Sequence, residues 1–386
     1  MDYSLTDEQK GIQAAVARLC QDYPDEYWRS LDQKHEYPTA FVDALIQGGW
    51  LSVLIPEEYG GSGFGLTEAS LILETINRSG GTGMPAHAQM YVMGTILRHG
   101  SEEQKCRLLP PIAKGEVRLQ SFAITEPDAG SDTTQIKTFA RRDGLRYVIS
   151  GAKVFTSRFG HSDAMLLLAR TTPYDEVVRK TDGLSVFYID LRQAREQISA
   201  TPIRTMVNHD TYALFFENLE VPVDNLIGEE GRGFRAILSG MNAERILVAS
   251  EILGDGFWFI DKASKYACER IVFGRPIGAN QGVQFPIAQA YANLEAASLM
   301  RWKAAQLFDQ GDEPGFEANA AKLLATQATW ASANAAMDTF GGYGFVSEYD
   351  VERKFREVRL PMVAPVNNNL ILAYIGEHVL GMPRSY

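Results

Sequence analysis

Residues 121–153 read SFAITEPDAGSDTTQIKTFARRDGLRYVISGAK, and this stretch decides how the rest of the chain is interpreted. It places a thin polar loop, Thr125-Glu126-Pro127-Asp128-Ala129-Gly130-Ser131-Asp132, before two strand-like runs that meet at an Asp143-Gly144 turn. Two hydroxyls, a proline and a glycine between apolar runs let a loop turn its amides and side chains toward a ligand, because little bulk blocks the approach. The loop is therefore a candidate cofactor site.

Working outward in both directions, the chain changes character twice. Residues 1 to about 120 read as helices: Thr6 with Gln9 and Ser101 with Gln104 match capping boxes, and Leu66 to Ile76 has helical spacing. The glycine-rich turn Pro56 to Gly65, PEEYGGSGFG, is not GxGxxG and sits in no βαβ alternation, which excludes a Rossmann reading. From about 121 to 231 short β-rich runs (Arg146 to Ile149, Ala164 to Ala169, Leu184 to Ile189, Ala213 to Phe216) alternate with turn residues and predict a compact barrel or sandwich. After Gly233 the pattern is helical almost to the end; Glu317 to Met337 is dense in alanine, and Leu370 to Leu380 stops at Gly381. The expectation is an α+β chain: an N-terminal helical domain (1–120), a middle β-barrel domain (121–231) and a C-terminal four-helix bundle (232–386).

At 386 residues the chain exceeds the usual size of one hydrophobic core. With 37 basic against 48 acidic residues, a net charge of −11 argues against an extended nucleic-acid surface. Cys20, Cys106 and Cys268 form no CxxC pair, which speaks against a disulfide framework or zinc site and for a reducing compartment. The acidic start Met1-Asp2-Tyr3-Ser4-Leu5-Thr6-Asp7-Glu8 has no basic leader or apolar signal core, and no run is long and apolar enough to span a bilayer. A soluble, cytoplasmic protein is expected. The six histidines show no paired metal spacing, so no metal is expected.

The TEPxAGSD string resembles the signature of the acyl-CoA dehydrogenase family. Further segments appear in that family's order and at about its spacing: Phe215 to Pro222, Gly231-Arg232-Gly233-Phe234, Cys268 to Ile277 (CERIVFGRPI), and Phe340 to Phe345 (FGGYGF). The resemblance covers nearly the whole chain and implies the helix, β-barrel, helix-bundle architecture. It also implies FAD, an acyl-CoA substrate, a homotetramer and electron-transfer flavoprotein as acceptor. In the implied reaction a carboxylate removes the proton α to the thioester carbonyl while hydride leaves the β carbon for flavin N5. The α proton is weakly acidic, so the base must be a desolvated carboxylate of raised pKa.

Many members place that glutamate near the C-terminus, where this chain carries Pro365 in the segment Phe355 to Asn369. A smaller branch, which includes the isovaleryl-CoA and long-chain enzymes, carries it on an earlier helix within an ER dipeptide, matched here by Asn242-Ala243-Glu244-Arg245. Glu244 is the expected base, although a helical glutamate is more often a paired surface residue. Arg245 resembles the family arginine beside the CoA chain. Phe122, Ile124 and Thr125 are implied along one side of the flavin ring and Phe155, Thr156 and Ser157 along the other, with Ser131 near the phosphates of CoA or flavin. Arg270, Phe273 and Gln281 resemble residues that reach the dinucleotide of a neighbouring subunit's FAD. Gly342 would permit close backbone approach, and Asn367 and Asn369 would hold the adenosine end. His87 and Tyr91, one helical turn apart on the segment that floors the family's acyl pocket, would shorten or polarise it or simply pack. An oxidase, reductase or monooxygenase on the same scaffold, or a non-catalytic acyl-CoA-binding subunit, remains open.

Overall fold

The computed structural model describes residues 4–384. Helices α1 (Asp7–Gln21), α2 (Asp25–Lys34), α3 (Thr39–Gln47), α4 (Leu66–Arg78), α5 (Met84–His99) and α6 (Glu102–Ala113) come first. Both expected capping boxes are formed, Thr6 with Gln9 and Ser101 with Gln104. The start of α4 is capped from outside: the Leu66 and Thr67 amides and the Thr67 hydroxyl all donate to Asp309. A side chain at Gly65 would collide with that carboxylate.

The middle of the chain forms one sheet of eight strands among the described residues: β1 (Leu119–Ala123), β2 (Phe139–Asp143), β3 (Arg146–Ser157), β4 (Ala164–Arg170), β5 (Leu184–Asp190), β6 (Ile198–Ile203), β7 (Thr211–Pro222) and β8 (Leu226–Ile227). A single helical turn, α7 (Leu191–Ala194), follows β5. The strand order is β6-β7-β3-β2-β4-β5-β8, with β1 parallel to β4. The β2–β3 hairpin pairs Asp143 with Arg146 across Gly144, which takes the positive φ that such a two-residue turn demands. β3 and β7 are far longer than the short runs expected from sequence, since bulges interrupt their pairing and scramble the two-residue alternation.

β4 and β5 read as unbroken apolar runs because both their faces are buried. Leu166, Leu168, Val186 and Tyr188 pack against α5 and α6 side chains such as Val92, Ile96 and Leu109. Met165, Leu167, Phe187 and Ile189 face the interior of the β domain with Tyr147, Ile149, Leu214 and Phe216. Because residues from β1 through β7 share that second core, the sheet curls around its own contents.

The C-terminal region is led by α8 (Gly233–Glu269), α9 (Gln281–Asp309) and α10 (Gly315–Phe340), followed by the short α11 (Val351–Glu357) and α12 (Asn368–Tyr374). The hairpin of β9 (Ile271–Val272) and β10 (Arg275–Pro276) joins α8 to α9. The expected fourth bundle helix is thus short, and it ends in a π-helical turn, Ile375–Val379. Every residue of α8 from 246 to 260 is buried, so this helix forms the axis of the helical core. A Cβ at Gly254 would lie 2.4 Å from the Glu74 carbonyl oxygen, which shows how closely α8 approaches α4. Arg301 of α9, fully buried, pairs with Glu74.

The TEPxAGSD loop is anchored by a buried ion pair. Glu126 accepts from the Lys137 and Thr138 amides (2.6 and 2.9 Å) and from Lys153 Nζ (2.9 Å), which also donates to the Ile124 carbonyl. Removing one member of such a pair strands the other charge away from water. Lys153→Met is therefore expected to cost about 3–5 kcal/mol in denaturant unfolding. Adding Glu126→Gln should recover part of the loss, because it removes the stranded charge and keeps an acceptor for the two amides.

Candidate active site

Glu244 lies near the start of α8 and is 4% exposed. Its Oε2 has no hydrogen-bond partner. Burial drives its pKa up to about 7, against the opposing pull of His87, Arg245 and Lys322 nearby. Loss of water disfavours the ionised form, and the surrounding cations offset that only in part. The result is a carboxyl group poised to exchange a proton near neutral pH.

The groups around it come from several elements. From α5, His87 Nδ1 meets Glu251 Oε2 at 3.1 Å and leaves Nε2 unpartnered. Tyr91 stands 5.4 Å from the His87 ring and stacks against Phe122 at 6.3 Å. Its phenol is held above its ordinary pKa by burial and by the neighbouring Glu244. Arg245 donates to Asn242 Oδ1 rather than to a carboxylate, and its Nε is unpartnered. Lys322 of α10, fully buried and lowered by desolvation to about 8, donates to the Val366 carbonyl and Asn368 Oδ1. Pro365, one residue earlier, is exposed. The one carboxylate in 355–369, Glu357, is bound to Arg353 and Lys354.

On the β domain, the Val154 amide donates to the Thr125 carbonyl (2.8 Å), which joins the end of β1 to the bulge in β3. That bulge gives Phe155 a φ of 57° and turns its ring outward, 62% exposed. Positive φ is uncommon for a bulky residue and is held here by the strands on either side. Thr156 points the opposite way, and its buried hydroxyl has no partner. Ser157 contacts the Thr211 hydroxyl at 3.4 Å. Phe122, Ile124 and Thr125 are half-buried beside them. An exposed aromatic ring and a loop of small residues fit the edge and face of a flat conjugated ring such as a flavin.

The remaining predicted residues are not gathered at this point. Arg270, Phe273, Gln281 and Gly342 are all exposed. Arg270 is 26 residues beyond Glu244, about 39 Å along the α8 axis at the helical rise. Its guanidinium lies over the Tyr343 ring at 5.9 Å. Among the described residues no atom lies within 4 Å of a Cβ placed at Gly342, so no packing contact there demands glycine. Asn367 caps α12 and donates to Ser131 Oγ (3.2 Å), tying that turn to the polar loop, whereas Asn369 is exposed.

Sequence reasoning missed Glu251, Lys322, Arg158 and His209. Glu251 was readable as a charge inside the apolar run 246–260, and Lys322 as one within an alanine-rich helix. Nothing local marks Arg158 or His209. Among the described residues no cluster of His, Cys, Asp or Glu is arranged to hold a metal, and no helix is long and apolar enough to cross a membrane.

Comparison with known proteins accounts for this arrangement. Residues 6–116, 121–219 and 231–380 match the N-terminal, middle and C-terminal domains of acyl-CoA dehydrogenase. The chain is 35% identical to acyl-CoA dehydrogenase FadE12 of Mycobacterium tuberculosis, over 99% of this chain and 98% of that protein. It superposes on butyryl-CoA dehydrogenase from Megasphaera elsdenii with a TM-score of 0.93 at 26% identity, covering 98% of this chain and all of that one. It also superposes on glutaryl-coenzyme A dehydrogenase in its glutaryl-CoA complex with a TM-score of 0.92 at 30% identity, covering 100% and 98% of the two chains. The three matched domains and the full-length relatives establish that this chain belongs to the acyl-CoA dehydrogenase family.

Proposed function

We propose that this protein is an FAD-dependent acyl-CoA dehydrogenase that introduces an α,β double bond into an acyl-CoA thioester, with Glu244 as the base. The observation that carries the reading is the buried Glu244 carboxyl group, its Oε2 free and its pKa near neutrality. A carboxylate deprived of water and of hydrogen bonds is a stronger base than one in solution. Pro365 offers no alternative, and Glu251 and Glu357 are both engaged by cations or His87. This assignment places the chain in the ER-dipeptide branch with the isovaleryl-CoA and long-chain enzymes.

Bound FAD supplies the acceptor for the hydride that leaves the β carbon. Phe122, Ile124, Thr125, Phe155, Thr156 and Ser157 would hold its ring, with Ser157 contributing a hydroxyl to its edge. Ser131, Asn367 and Asn369 would serve the phosphates and adenosine end, and Arg245 the CoA chain. Tyr91 and His87 line the acyl side of Glu244 and exclude water from it. In this reading the enzyme works in the reducing cytoplasm, where its three free cysteines stay unpaired, and passes electrons to an electron-transfer flavoprotein. Its three units are 1–120, 121–231 and 232–386.

Arg270, Phe273, Gln281 and Gly342 belong in this proposal to the FAD of a neighbouring subunit in a homotetramer. Their distance from Glu244 along α8 and the exposed Phe285, Tyr291 and Leu299 on α9 support that reading. Arg270→Ala is expected to weaken both flavin retention and assembly, read as the flavin-to-protein absorbance ratio and the mass by light scattering. Unchanged flavin content and mass would restrict Arg270 to local packing against Tyr343.

Glu244→Gln keeps the shape of the side chain and removes the proton acceptor, so flavin bleaching by acyl-CoA in anaerobic rapid mixing should slow by a factor on the order of 10² or more. In the wild type, Glu244 must be ionised while His87, Tyr91, Arg245 and Lys322 surround it. The bleaching rate should fall roughly tenfold per unit below about pH 7 and level off above it. If Glu244→Gln reduces its flavin at nearly the wild-type rate, the base lies elsewhere. Folding offers an independent check. The folded state holds the Glu244 proton more tightly than the unfolded chain does, so stability falls as pH rises from the ordinary carboxylate range to about 7. Glu244→Gln should remove that loss and exceed the wild type at pH 8 by on the order of 3 kcal/mol in denaturant unfolding, with little difference at pH 4.

A further inference from the structure

Immediately after β3 the chain turns left-handed at Arg158, with φ 60°, and the Arg158 amide donates to the Asp210 carbonyl at 2.6 Å. The turn sends the side chain inward, where it is 7% exposed. A buried guanidinium is costly unless a carboxylate pairs with it. Among the described residues none lies within ion-pair distance. Its side-chain contact is instead with a histidine, Nη1 to His209 Nε2 at 3.3 Å.

That contact sets the histidine's tautomer. A guanidinium can only donate, so His209 Nε2 accepts. Burial, with Arg158 and His87 nearby, holds the ring neutral, and its proton therefore sits on Nδ1. Two N–H donors are left buried without acceptors, Arg158 Nε and His209 Nδ1. Of the neighbouring carboxylates, Asp210 lies 3.8 Å from His161 and Glu251 meets His87 at 3.1 Å; each keeps one buried oxygen without a hydrogen bond, and neither pairs with Arg158. Tyr37 and Tyr91 also face the guanidinium.

Tyr91 lies close to both Glu244 and Arg158, so these donors are within one side chain of the base. A cavity of about 30 Å³ opens beside Arg158 and His209, bordered by Tyr37, Thr82, Met84 and Asp210. That is room for about two water-sized atoms. Glu36, Asp32 and Glu357 also border it, of which Asp32 is paired with Arg356 and Glu357 with Arg353 and Lys354. A cation, two orphaned donors and space for two oxygens together describe a carboxylate site. We propose that this enzyme selects acyl-CoA thioesters whose acyl chain ends in a carboxylate, bound by Arg158 and His209 at the far end of the acyl pocket. The proposal rests on the dehydrogenase reading of the same site and narrows it to a substrate class.

The test uses the holoenzyme and two matched pairs of thioesters, glutaryl-CoA against pentanoyl-CoA and adipyl-CoA against hexanoyl-CoA. Within at least one pair the carboxylate-ended thioester should bleach the flavin with the higher kcat/KM, by roughly 10²-fold, because a site built to hydrogen-bond a group rejects the analogue that lacks it. Arg158→Met should collapse that ratio by a similar factor, chiefly through KM, and Arg158→Lys should restore part of it. The wild-type ratio alone decides the matter if the variants fail to fold. Bleaching by the methyl-ended thioesters with no preference for either carboxylate would overturn the proposal, leave the dehydrogenase reading intact and assign the orphaned donors to water. An equal loss for both members of a pair in Arg158→Met would overturn it as well, since the arginine would then only support the fold. If none of the four bleaches the flavin while a branched or long-chain acyl-CoA does, the proposal is overturned and the dehydrogenase reading stands.

Discussion

The buried pair of Glu126 and Lys153 is the contact on which the β side of the site depends. Its carboxylate gathers two backbone amides and an ammonium, and the same ammonium reaches back to the Ile124 carbonyl. One pair of charges thereby fixes the end of β1, the polar loop and the strand carrying Phe155 and Thr156. Desolvation pulls Lys153 down to about 8, while Lys153 and the hydrogen bonds hold Glu126 below the ordinary carboxylate range. A loop rich in small residues has little packing of its own to define its shape. A saturated ion pair defines it by directional bonds instead.

The helical side is organised around α8, which presents three buried acids on nearly one face. Glu251 is two turns beyond Glu244, and Asp255 a further turn on. Their environments differ. Glu244 has a free oxygen and no ion pair among the described residues, Glu251 has a free Oε1 but meets His87 through Oε2, and Asp255 is paired with Lys354, which also donates to the Gly81 carbonyl. Partnering separates a carboxyl group available for proton transfer from those that tie α5 and α11 to the central helix. Burial alone does not distinguish them, since desolvation raises Asp255 to about 7 as well.

Much of the molecule was legible in the chain. The capping boxes, the Asp143-Gly144 hairpin, the alanine-rich α10 and the helix, sheet, helix order all follow from local rules, in which neighbours a few residues apart satisfy one another. The motif segments likewise named Glu244 and the residues flanking the polar loop. Strand lengths were less legible because bulges break the alternation of β3 and β7. Arg158 and His209 left no trace, since a lone arginine after a strand and a lone histidine in a loop are ordinary surface residues until a fold encloses them.

Sequence by itself therefore determined the elements, their order and the family, because periodicity, caps and motifs are properties of contiguous residues. It also determined that a carboxylate stands at 244 and a proline at 365. Only the tertiary structure decided what those groups experience. The depth of Glu244, the left-handed turn that buries Arg158 and the missing acceptors for its Nε and for His209 Nδ1 arise from elements more than fifty residues apart packing against one another. Desolvation and hydrogen-bond satisfaction are properties of the enclosed volume, and no window of sequence contains it.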